Sequence, residues 1–455
     1  MQESNYKIQK EMLDRLIKNP KEFEHRHSSD IAKILKEIYY NEGKDVFINY
    51  LRKIPDEYLG EILLELPEYL KDEALEELSV KKLAEVVDEL DSDDAADLIQ
   101  DIAELDNQKE QEILSNLDDE DVKDIQRLQK FDEDEAGSVM QTELFSARLD
   151  EKIGDSIERL KKLKEDGLDN IYMVFLVDEY GHLIGSMPLE DVITFDFNKT
   201  YRDYLKEHYK RVLSLKGTDP LDEVVKYFED YDLVVLPITD RDGKLIGRVT
   251  SDDIYDIIEE RATEQIYKMA GVDEESEDER DVKIITQKRA IWLGVNLLTA
   301  IAASFVIGLF DKTIQAYVAL AVLMPIVASM GGNAGTQTLT VMVRQLALEE
   351  INWSEAKQAI NREVLVSLLN GLIFALVMGA IAYFWFSDYK LGFVIAAAMV
   401  INLFFAGLFG AIIPLTLRRL GIDPAVASSV LLTTVTDIVG FFAFLGLAKI
   451  ILLKG

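Results

Sequence analysis

Cysteine is absent from the 455-residue sequence, and histidine is scarce. Without thiols the chain can form no disulfide, no iron–sulfur centre and no thiolate zinc site. His25 and His27 flank one residue in a charged segment, which favours a surface location over a transition-metal site, and His182 and His208 are isolated. The N-terminal segment is polar and has no apolar stretch typical of a signal peptide, so we expect the first half in the cytoplasm.

Motifs of the common enzyme classes are also lacking. The sequence has no P-loop, no candidate Ser/His/Asp triad and no histidine-rich metal motif. We therefore expect that the protein is not an enzyme.

Basic residues are the minority, and the acidic excess is confined to one half of the chain. Of 83 acidic and 49 basic residues, 75 and 38 lie within residues 1–286, and 8 and 11 lie within residues 287–455. A region this acidic repels nucleic acid and anionic lipid headgroups and attracts cations, so we expect no nucleic-acid partner. The alternative, that the charge only keeps the region soluble, stays open.

Five apolar stretches follow Gln287, and each is long enough to cross about 30 Å of hydrocarbon as a helix. They cover residues 289–310, 315–343, 364–386, 391–416 and 425–452. Most basic residues of the connectors would share one side, namely Lys288, Arg289, Arg344, Lys357, Arg362, Arg418 and Arg419, with Lys312, Lys390 and Lys454 on the other. The positive-inside rule assigns the first side to the cytoplasm. We therefore expect a multi-pass protein embedded in membrane lipid, with its acidic half in the cytoplasm and its C-terminus outside.

The second stretch contains helix-breaking and polar residues in the run LMPIVASMGGNAGTQ. Proline removes a backbone hydrogen bond and glycine disfavours helix, so we expect the backbone to kink or unwind there. Unwound backbone at membrane depth is tolerated where it lines a cavity. A close helix–helix contact through small residues is the alternative. The residues expected to line a passage are Pro325, Gly331, Gly332, Asn333 and Gln337.

The fifth stretch contains a carboxylate, Asp437, in the run LLTTVTDIVGFFAF. Asp437 follows Pro424 by thirteen residues, which is about 20 Å along a helix axis. An unpaired charge at that depth is strongly unfavourable. A protonated, hydrogen-bonded structural Asp is one interpretation. We favour a cation site, with nearby oxygens from Thr433, Thr434 and Thr436.

The expected ligands around Asp437 also indicate which ion binds. Oxygen ligands without Cys or His favour a hard cation such as Mg²⁺. One carboxylate cannot neutralise a divalent ion, whereas a two-fold homodimer would bring two copies of Asp437 together. Because Mg²⁺ dehydrates reluctantly, we expect it to bind mainly through its waters.

The acidic half divides into a helical part and an internally repeated part. Residues 1–130 show helical periodicity with short acidic connectors, typical of a small superhelix of stacked hairpins. DEYGHLIGSMPLEDVI (178–193) matches DRDGKLIGRVTSDDIY (240–255), and each copy predicts strand, D-x-x-G turn, strand and helix. This α/β duplication resembles the tandem cystathionine-β-synthase (CBS) module. From residue 254 a helix with one apolar face follows, which Gly271 is expected to end; an inert linker is the alternative to a transmission element.

These parts, in this order, resemble the MgtE family of magnesium channels and transporters, most specifically in PIVASMGGNAGTQ, RRLGIDPA and TTVTDIVGFFAFLGLA. The resemblance implies a multidomain membrane protein: a helical superhelix, an α/β CBS pair, a connecting plug helix and a five-helix transmembrane domain. It also implies a homodimeric, Mg²⁺-selective channel of the bacterial cytoplasmic membrane, closed by cytosolic Mg²⁺, with ATP as a candidate ligand of the CBS pair. The expected boundaries are 1–130 for the superhelix, 131–200 and 201–253 for the CBS repeats, 254–286 for the connector and 287–455 for the pore domain.

The resemblance further implies which residues meet the ion. Asp437 matches the family's pore aspartate, and Thr433 matches a position whose backbone carbonyl faces the ion. Asp423 matches an acidic residue that meets the plug helix at the cytosolic mouth of the closed pore. The implied sensor ligands are Asp232, Asp253, Asp256 and Glu264, joined by Asp94 and Asp97 of the helical domain. This sequence departs from the family at two acidic sensor positions, which are Arg261 and Gln265, and at two pore positions where some relatives carry Asn, which are Thr336 and Ser429.

Charge repulsion supplies a physical account of gating. Two like charges about 6 Å apart repel by roughly 2–3 kcal/mol at an effective dielectric near 20, so Mg²⁺ that bridges acidic faces favours a compact, closed state. The main alternative is a coupled exchanger for Mg²⁺ or another divalent cation, but Asp437 is the one clear carboxylate in the five stretches, which favours a channel. A third interpretation is a membrane-anchored sensor or enzyme, which leaves Asp437 unexplained.

Overall fold

The computed structural model of the chain describes residues 2–165, 168, 170–208, 212–272, 282–347 and 356–453. The chain forms two compact units, Met1–Glu260 and Arg261–Gly455. Each unit has an apolar core of its own. Of the predicted features, most of the acidic run in the connector (residues 273–281) and Lys454 lie outside the described residues.

The first unit begins with a stack of short helices whose apolar faces share one core. Several helices start where the sequence supplies a cap. The Ser79 hydroxyl accepts a hydrogen bond from the Lys82 amide at 3.3 Å, and Asp106 accepts from the amides of Gln108 and Lys109. The predicted helical N-terminal domain is therefore confirmed. Its helices are α1 (Gln2–Lys18), α2 (Ser28–Glu42), α3 (Lys44–Leu51), α4 (Asp56–Leu64), α5 (Glu68–Glu77), α6 (Val80–Asp88), α7 (Ser92–Leu105), α8 (Asn107–Leu114) and α9 (Asp119–Leu128), with a 3₁₀ helix (Pro20–His25) after α1.

Two three-stranded sheets follow, and they have the same topology. In each, the first strand runs parallel to the second, and the second pairs antiparallel with the third. This repeated arrangement confirms the predicted CBS pair. The first sheet contains β1 (Ser146–Arg148), β2 (Met173–Val177) and β3 (Leu183–Pro188), and the second contains β4 (Leu215–Lys216), β5 (Val235–Thr239) and β6 (Leu245–Thr250). The helices between these strands are α10 (Ile153–Glu165), α11 (Leu189–Thr194), α12 (Tyr201–His208) and α13 (Leu221–Tyr231).

The two D-x-x-G turns join the sheets to each other. Gly181 and Gly243 have φ angles of 88° and 87°, a left-handed conformation that favours glycine. The Leu183 amide donates to the Gly243 carbonyl and the Leu245 amide donates to the Gly181 carbonyl, both at 3.0 Å. The duplicated sequence motif is therefore also the symmetric contact between the repeats.

Helix α14 (Ser251–Ala270) continues directly from β6. Gly271 follows it with a φ of 71°, and its amide donates to the Lys268 carbonyl at 3.0 Å. A left-handed glycine just past the last turn is a common way to end a helix. The predicted helix end at Gly271 is confirmed.

The second unit contains five helices that are long and apolar enough to cross a membrane, as predicted. The most buried of them packs against three others and forms the centre of the unit. The five are α15 (Val282–Gly308), α17 (Ala319–Ala347), α18 (Ala356–Phe386), α19 (Tyr389–Arg419), which is the central one, and α20 (Pro424–Ile451). A short helix, α16 (Asp311–Ala316), lies between the first two.

Of the predicted kink or unwinding in the second stretch, the unwinding is wrong, because α17 continues through Pro325 and through all its glycines. The glycines allow close helix packing instead. A Cβ atom on Gly331 would lie 2.2 Å from Nδ2 of Asn402 in α19, and one on Gly335 would lie 3.0 Å from the Leu432 side chain in α20. A helix that keeps its own hydrogen bonds is favoured in lipid, where water cannot replace them.

Candidate functional site

One face of α20 carries the predicted pore residues. Asp437 is half-buried and Thr433, one turn earlier on the same face, is exposed. The hydroxyl of Thr433 donates to the Ser429 carbonyl at 2.9 Å, so its oxygen remains able to accept or to coordinate. Thr436 is fully buried and donates to the Thr433 carbonyl at 3.1 Å. The expectation that Thr436 supplies an oxygen beside Asp437 is therefore wrong.

A polar face on α17 extends over more than two helical turns. Ser329, Asn333, Gln337 and Thr340 are all exposed and recur at helical spacing. Of the other predicted lining residues, Pro325 is exposed and Gly332 is partly exposed. Gly331 is buried against α19, so its assignment to the lining is wrong. The glycine pair thus separates into one residue on the polar face and one in the helix contact.

These two faces are chemically unsuited to contact with lipid. The described residues place no cationic side chain beside Asp437, and amides and hydroxyls exposed on α17 would lose their hydrogen bonds in hydrocarbon. Such groups are stable at membrane depth where they line a water-filled passage or face another protein surface. Every side-chain ligand they offer is an oxygen or an amide, which suits a hydrated hard cation.

A second carboxylate also lies in a membrane-spanning helix. Because α18 starts at Ala356, Glu363 falls in its second turn, where it is only 7% exposed. Oε1 of Glu363 lies 3.6 Å from Nε of Arg362. Glu363 directly precedes the stretch 364–386 that the sequence analysis assigned to the membrane, so the longer helix α18 carries a carboxylate near its first end.

The end of α14 contacts the start of α20 through a lysine that the sequence analysis did not single out. Nζ of Lys268 lies 2.5 Å from Oε1 of Glu264 and 3.1 Å from Oδ2 of Asp423. Burial alone would lower the pKa of Lys268, but its hydrogen bonds to the two carboxylates outweigh burial and raise it. Asp423 also caps α20 by accepting from the Ala425 amide at 2.8 Å. Lys268 thus links two residues that the family resemblance assigned to ion binding.

Apolar packing supports the same contact. Met269, the neighbour of Lys268, packs against a buried cluster that includes Leu339 and Val343 of α17 and Ala425 and Leu432 of α20. The end of α14 is therefore seated on both helices that carry the polar faces.

In the first unit, carboxylates of α7 crowd against the start of α14. Asp93 is 5% exposed, and its Oδ1 atom is buried without a hydrogen-bond partner among the described residues. Burial and the nearby charge of Asp253 raise the pKa of Asp93 well above its ordinary range. The same causes raise the pKa of Asp94 to about 7. Burial and neighbouring Asp252 raise the pKa of Asp253 itself to about 6, although a bond from Thr250 opposes the shift.

Three other predicted sensor residues do not belong to this acidic cluster (Asp93, Asp94 and Asp253) and are exposed. Asp97 is exposed to solvent, yet desolvation by the surrounding atoms and the charge of Asp101 raise its pKa to about 6. Asp256 is also exposed, yet partial desolvation of its carboxylate by the surrounding atoms and the charge of Glu65 raise its pKa. Asp232 is exposed at the left-handed end of α13. Within the described ranges, no three acidic or histidine side chains are close enough to form a ready metal site.

Asp93 is the sensor candidate that sequence reasoning missed. The signal was present, because Asp93 belongs to the same acidic run, DSDDAAD, as the two nominated residues. Helical spacing alone could not rank three neighbouring carboxylates by burial.

The sequence matches three family models and several curated proteins. The MgtE divalent cation transporter model matches residues 324–447, the MgtE intracellular N domain model residues 26–134 and the CBS domain model residues 205–260. The chain is 32% identical over 362 residues to the magnesium transporter MgtE of Thermus thermophilus, covering 79% of each chain. It is 33% identical over 330 residues to the magnesium transporter MgtE of Enterococcus faecalis, covering 72% of each. Among solved structures, the cytosolic domain of the Mg²⁺ channel MgtE in complex with ATP aligns at 26% identity with a TM-score of 0.46, covering 52% of this chain and 98% of that one.

Proposed function

The chain belongs to the MgtE family of magnesium transporters, and from this premise we propose that it forms a Mg²⁺-selective channel in which Asp437 of two subunits holds the ion. The observation that carries the proposal is the half-buried Asp437 one turn from the exposed Thr433, in a helix that packs against α17, the helix with the polar face. Two carboxylates on a two-fold axis balance the charge of one divalent ion.

The ion is held mainly through its water shell. Mg²⁺ keeps several waters because its dehydration is slow and unfavourable. Asp437 accepts hydrogen bonds from those waters, and the oxygens of Thr433, Asn333 and Gln337 offer further acceptors along the passage. A passage of this kind attracts cations by charge and selects among them by the size of the hydrated ion.

Cytosolic Mg²⁺ closes the channel through the acidic cluster. Asp93, Asp94 and Asp253 carry raised pKa values because their negative charges are crowded and partly desolvated. A divalent cation bound there, or at the exposed Asp256 and Asp232, removes the repulsion that the crowding creates. The compact state is then favoured by the difference in ion affinity between the two states.

The contact between α14 and α20 is the closed position of the plug helix. Lys268 holds Asp423 at 3.1 Å while Met269 fills an apolar seat between α17 and α20. Both interactions are lost when the plug leaves the mouth of the passage, so they set the energy that opening must overcome.

A coupled exchanger for divalent cations is the second candidate, and Glu363 favours it. A carboxylate that is only 7% exposed within a membrane helix is a common feature of proton and sodium sites. The two mechanisms differ in current: a channel gives single-channel steps in a planar bilayer, and an exchanger does not. The Glu363→Gln variant separates them further, because an exchanger that uses Glu363 loses its coupling while a channel retains conduction.

Growth of a magnesium-requiring bacterial strain tests the proposal. The wild-type chain is expected to restore growth at low Mg²⁺, and Asp437→Asn is expected to fail because it keeps the side-chain shape but removes the charge. Glu260→Gln, which removes an exposed carboxylate from α14, is the matched control and is expected to restore growth. Equal growth with Asp437→Asn and wild type would show that the pore assignment is wrong.

A further inference from the structure

A buried amide, Asn402, lies in the middle of the central helix α19. It is 0% exposed, and its Nδ2 donates to the Val327 carbonyl of α17 at 2.8 Å. Its Oδ1 atom is buried and has no hydrogen-bond partner in the part of the chain that the structure describes. Neither the sequence analysis nor the pore assignment above gives this residue a role.

Two glycines make room for the Asn402 amide. A Cβ atom on Gly331 of α17 would lie 2.2 Å from Nδ2, and one on Gly440 of α20 would lie 2.7 Å from the same atom. At both glycines the three nearest atoms belong to the Asn402 side chain. The amide therefore stands where α17, α19 and α20 meet, and no larger residue fits at either glycine without moving it.

This junction lies next to the candidate pore residues along both helices. Gly440 is three residues after Asp437, which is less than one turn, and Gly331 is two residues before Asn333. The side chain of Asn402 thus contacts both helices that carry the polar faces, within one turn of the carboxylate. A change in its size or hydrogen bonding changes the spacing of those faces.

Stability alone does not explain an asparagine at this position. Burying an amide oxygen without a partner is unfavourable, and an apolar side chain of similar shape avoids that loss. Buried polar groups that lack a hydrogen-bond partner, with no compensating gain in the fold, are commonly retained for function. The fixed distance between α17 and α20 is the function that the geometry offers.

We propose that Asn402 is a positioning residue of the ion pathway: its amide holds α17 and α20 at the separation that Mg²⁺ conduction requires. The inference rests on the proposed function, because it assumes that these two helices line the passage. Mg²⁺ keeps its octahedral water shell, so its passage depends on how the lining fits the hydrated ion, whereas Ca²⁺ exchanges ligands in variable coordination. Loosening the junction therefore lowers Mg²⁺ uptake more than Ca²⁺ uptake, and the ratio of the two uptake rates measures the effect.

The test measures Mg²⁺ and Ca²⁺ uptake by the full-length protein in liposomes, with indicator dyes inside. Asn402→Leu keeps the branched shape but removes the hydrogen bond to Val327. We expect Mg²⁺ uptake to fall about tenfold, the equivalent of about 1.4 kcal/mol, with a smaller fall for Ca²⁺. Ser367→Ala, which removes a buried hydroxyl from the contact between α18 and α19, is the matched control and is expected to keep the wild-type ratio.

Gly440→Ala tests the same junction without removing the amide, and it provides the test if Asn402→Leu does not fold. Its added methyl group pushes on Nδ2, so the Mg²⁺-to-Ca²⁺ ratio is expected to fall again. Wild-type ratios in the folded Asn402 or Gly440 variants would overturn the inference and leave the proposed function standing. No Mg²⁺ uptake by the wild type in the same liposomes would overturn the proposed function and the inference together.

Discussion

Replacing Lys268 with methionine is expected to weaken closure of the channel. Methionine keeps an unbranched apolar stem of similar length and removes the ammonium group that lies between Glu264 and Asp423. The two carboxylates then face each other without a cation between them. Closure becomes less favourable because α14 loses its charged contact with the start of α20.

The size of the effect follows from the geometry and the exposure. The Lys268 and Asp423 side chains are 26% and 42% exposed, so solvent screens much of their attraction. The bond to Glu264 lies within α14, so the energy relevant to closure is the contact with Asp423 together with the repulsion that its loss leaves between Glu264 and Asp423, about 1–2 kcal/mol. An energy of that size changes an equilibrium by about 5- to 30-fold, and we expect the cytosolic Mg²⁺ concentration for half-closure to rise by that factor.

Patch recordings from liposomes, with Mg²⁺ titrated on the cytosolic face, measure the effect. Lys268→Arg keeps the positive charge and is expected to close near the wild-type concentration. Asp423→Asn removes the partner charge, while asparagine still caps α20 well. Because both changes break the same interaction, the double variant Lys268→Met/Asp423→Asn should shift closure by less than the sum of the single shifts. If Lys268→Met closes at the same Mg²⁺ concentration as wild type, the contact contributes nothing to gating and the reasoning fails.

The remaining predictions concern the acidic cluster. Asp93→Asn removes a buried charge at constant shape, so the Mg²⁺-free protein is expected to unfold at a higher temperature. The rise is about 2–4 °C for each kcal/mol gained in the free energy of unfolding, and added Mg²⁺ should raise the unfolding temperature of the variant by less than that of wild type. An unchanged or lower unfolding temperature of the Mg²⁺-free variant contradicts this prediction. The pKa of Asp94 is raised to about 7 and that of Asp253 to about 6, so between about pH 4 and pH 7 the folded state binds protons that the unfolded state has released. The Mg²⁺-free protein should therefore lose stability as the pH rises through this window. Thermal unfolding measured across the window checks the direction of this change, and Asp94→Asn should lose less stability than wild type.

Local features of the sequence were enough to predict the repeated part of the fold. The D-x-x-G turns at Gly181 and Gly243 need a left-handed residue and a short polar loop, and both requirements are visible within four residues. Asp437 could likewise be singled out from the sequence, because a carboxylate within a long apolar stretch is a local anomaly. The end of α14 at Gly271 belongs to the same class of local signal.

Packing decided the features that sequence reasoning got wrong. Glycines in α17 are compatible with an unwound helix and with a tight contact, and the choice depends on Asn402, which is 71 residues after Gly331. The pairing of Lys268 with Glu264 follows from their i, i+4 spacing, but the pairing with Asp423 joins residues far apart in the chain. Contacts between distant segments leave no periodic pattern in one sequence.

The central claim is that Asp437 carries Mg²⁺ through the membrane, and one recording tests it most directly. Wild type and Asp437→Asn, each reconstituted at matched density in planar bilayers, are compared with Mg²⁺ as the only permeant cation. We expect single-channel Mg²⁺ steps from the wild type and none from Asp437→Asn. Steps of wild-type size from Asp437→Asn would contradict the assignment of the pore, whatever the behaviour of the acidic half.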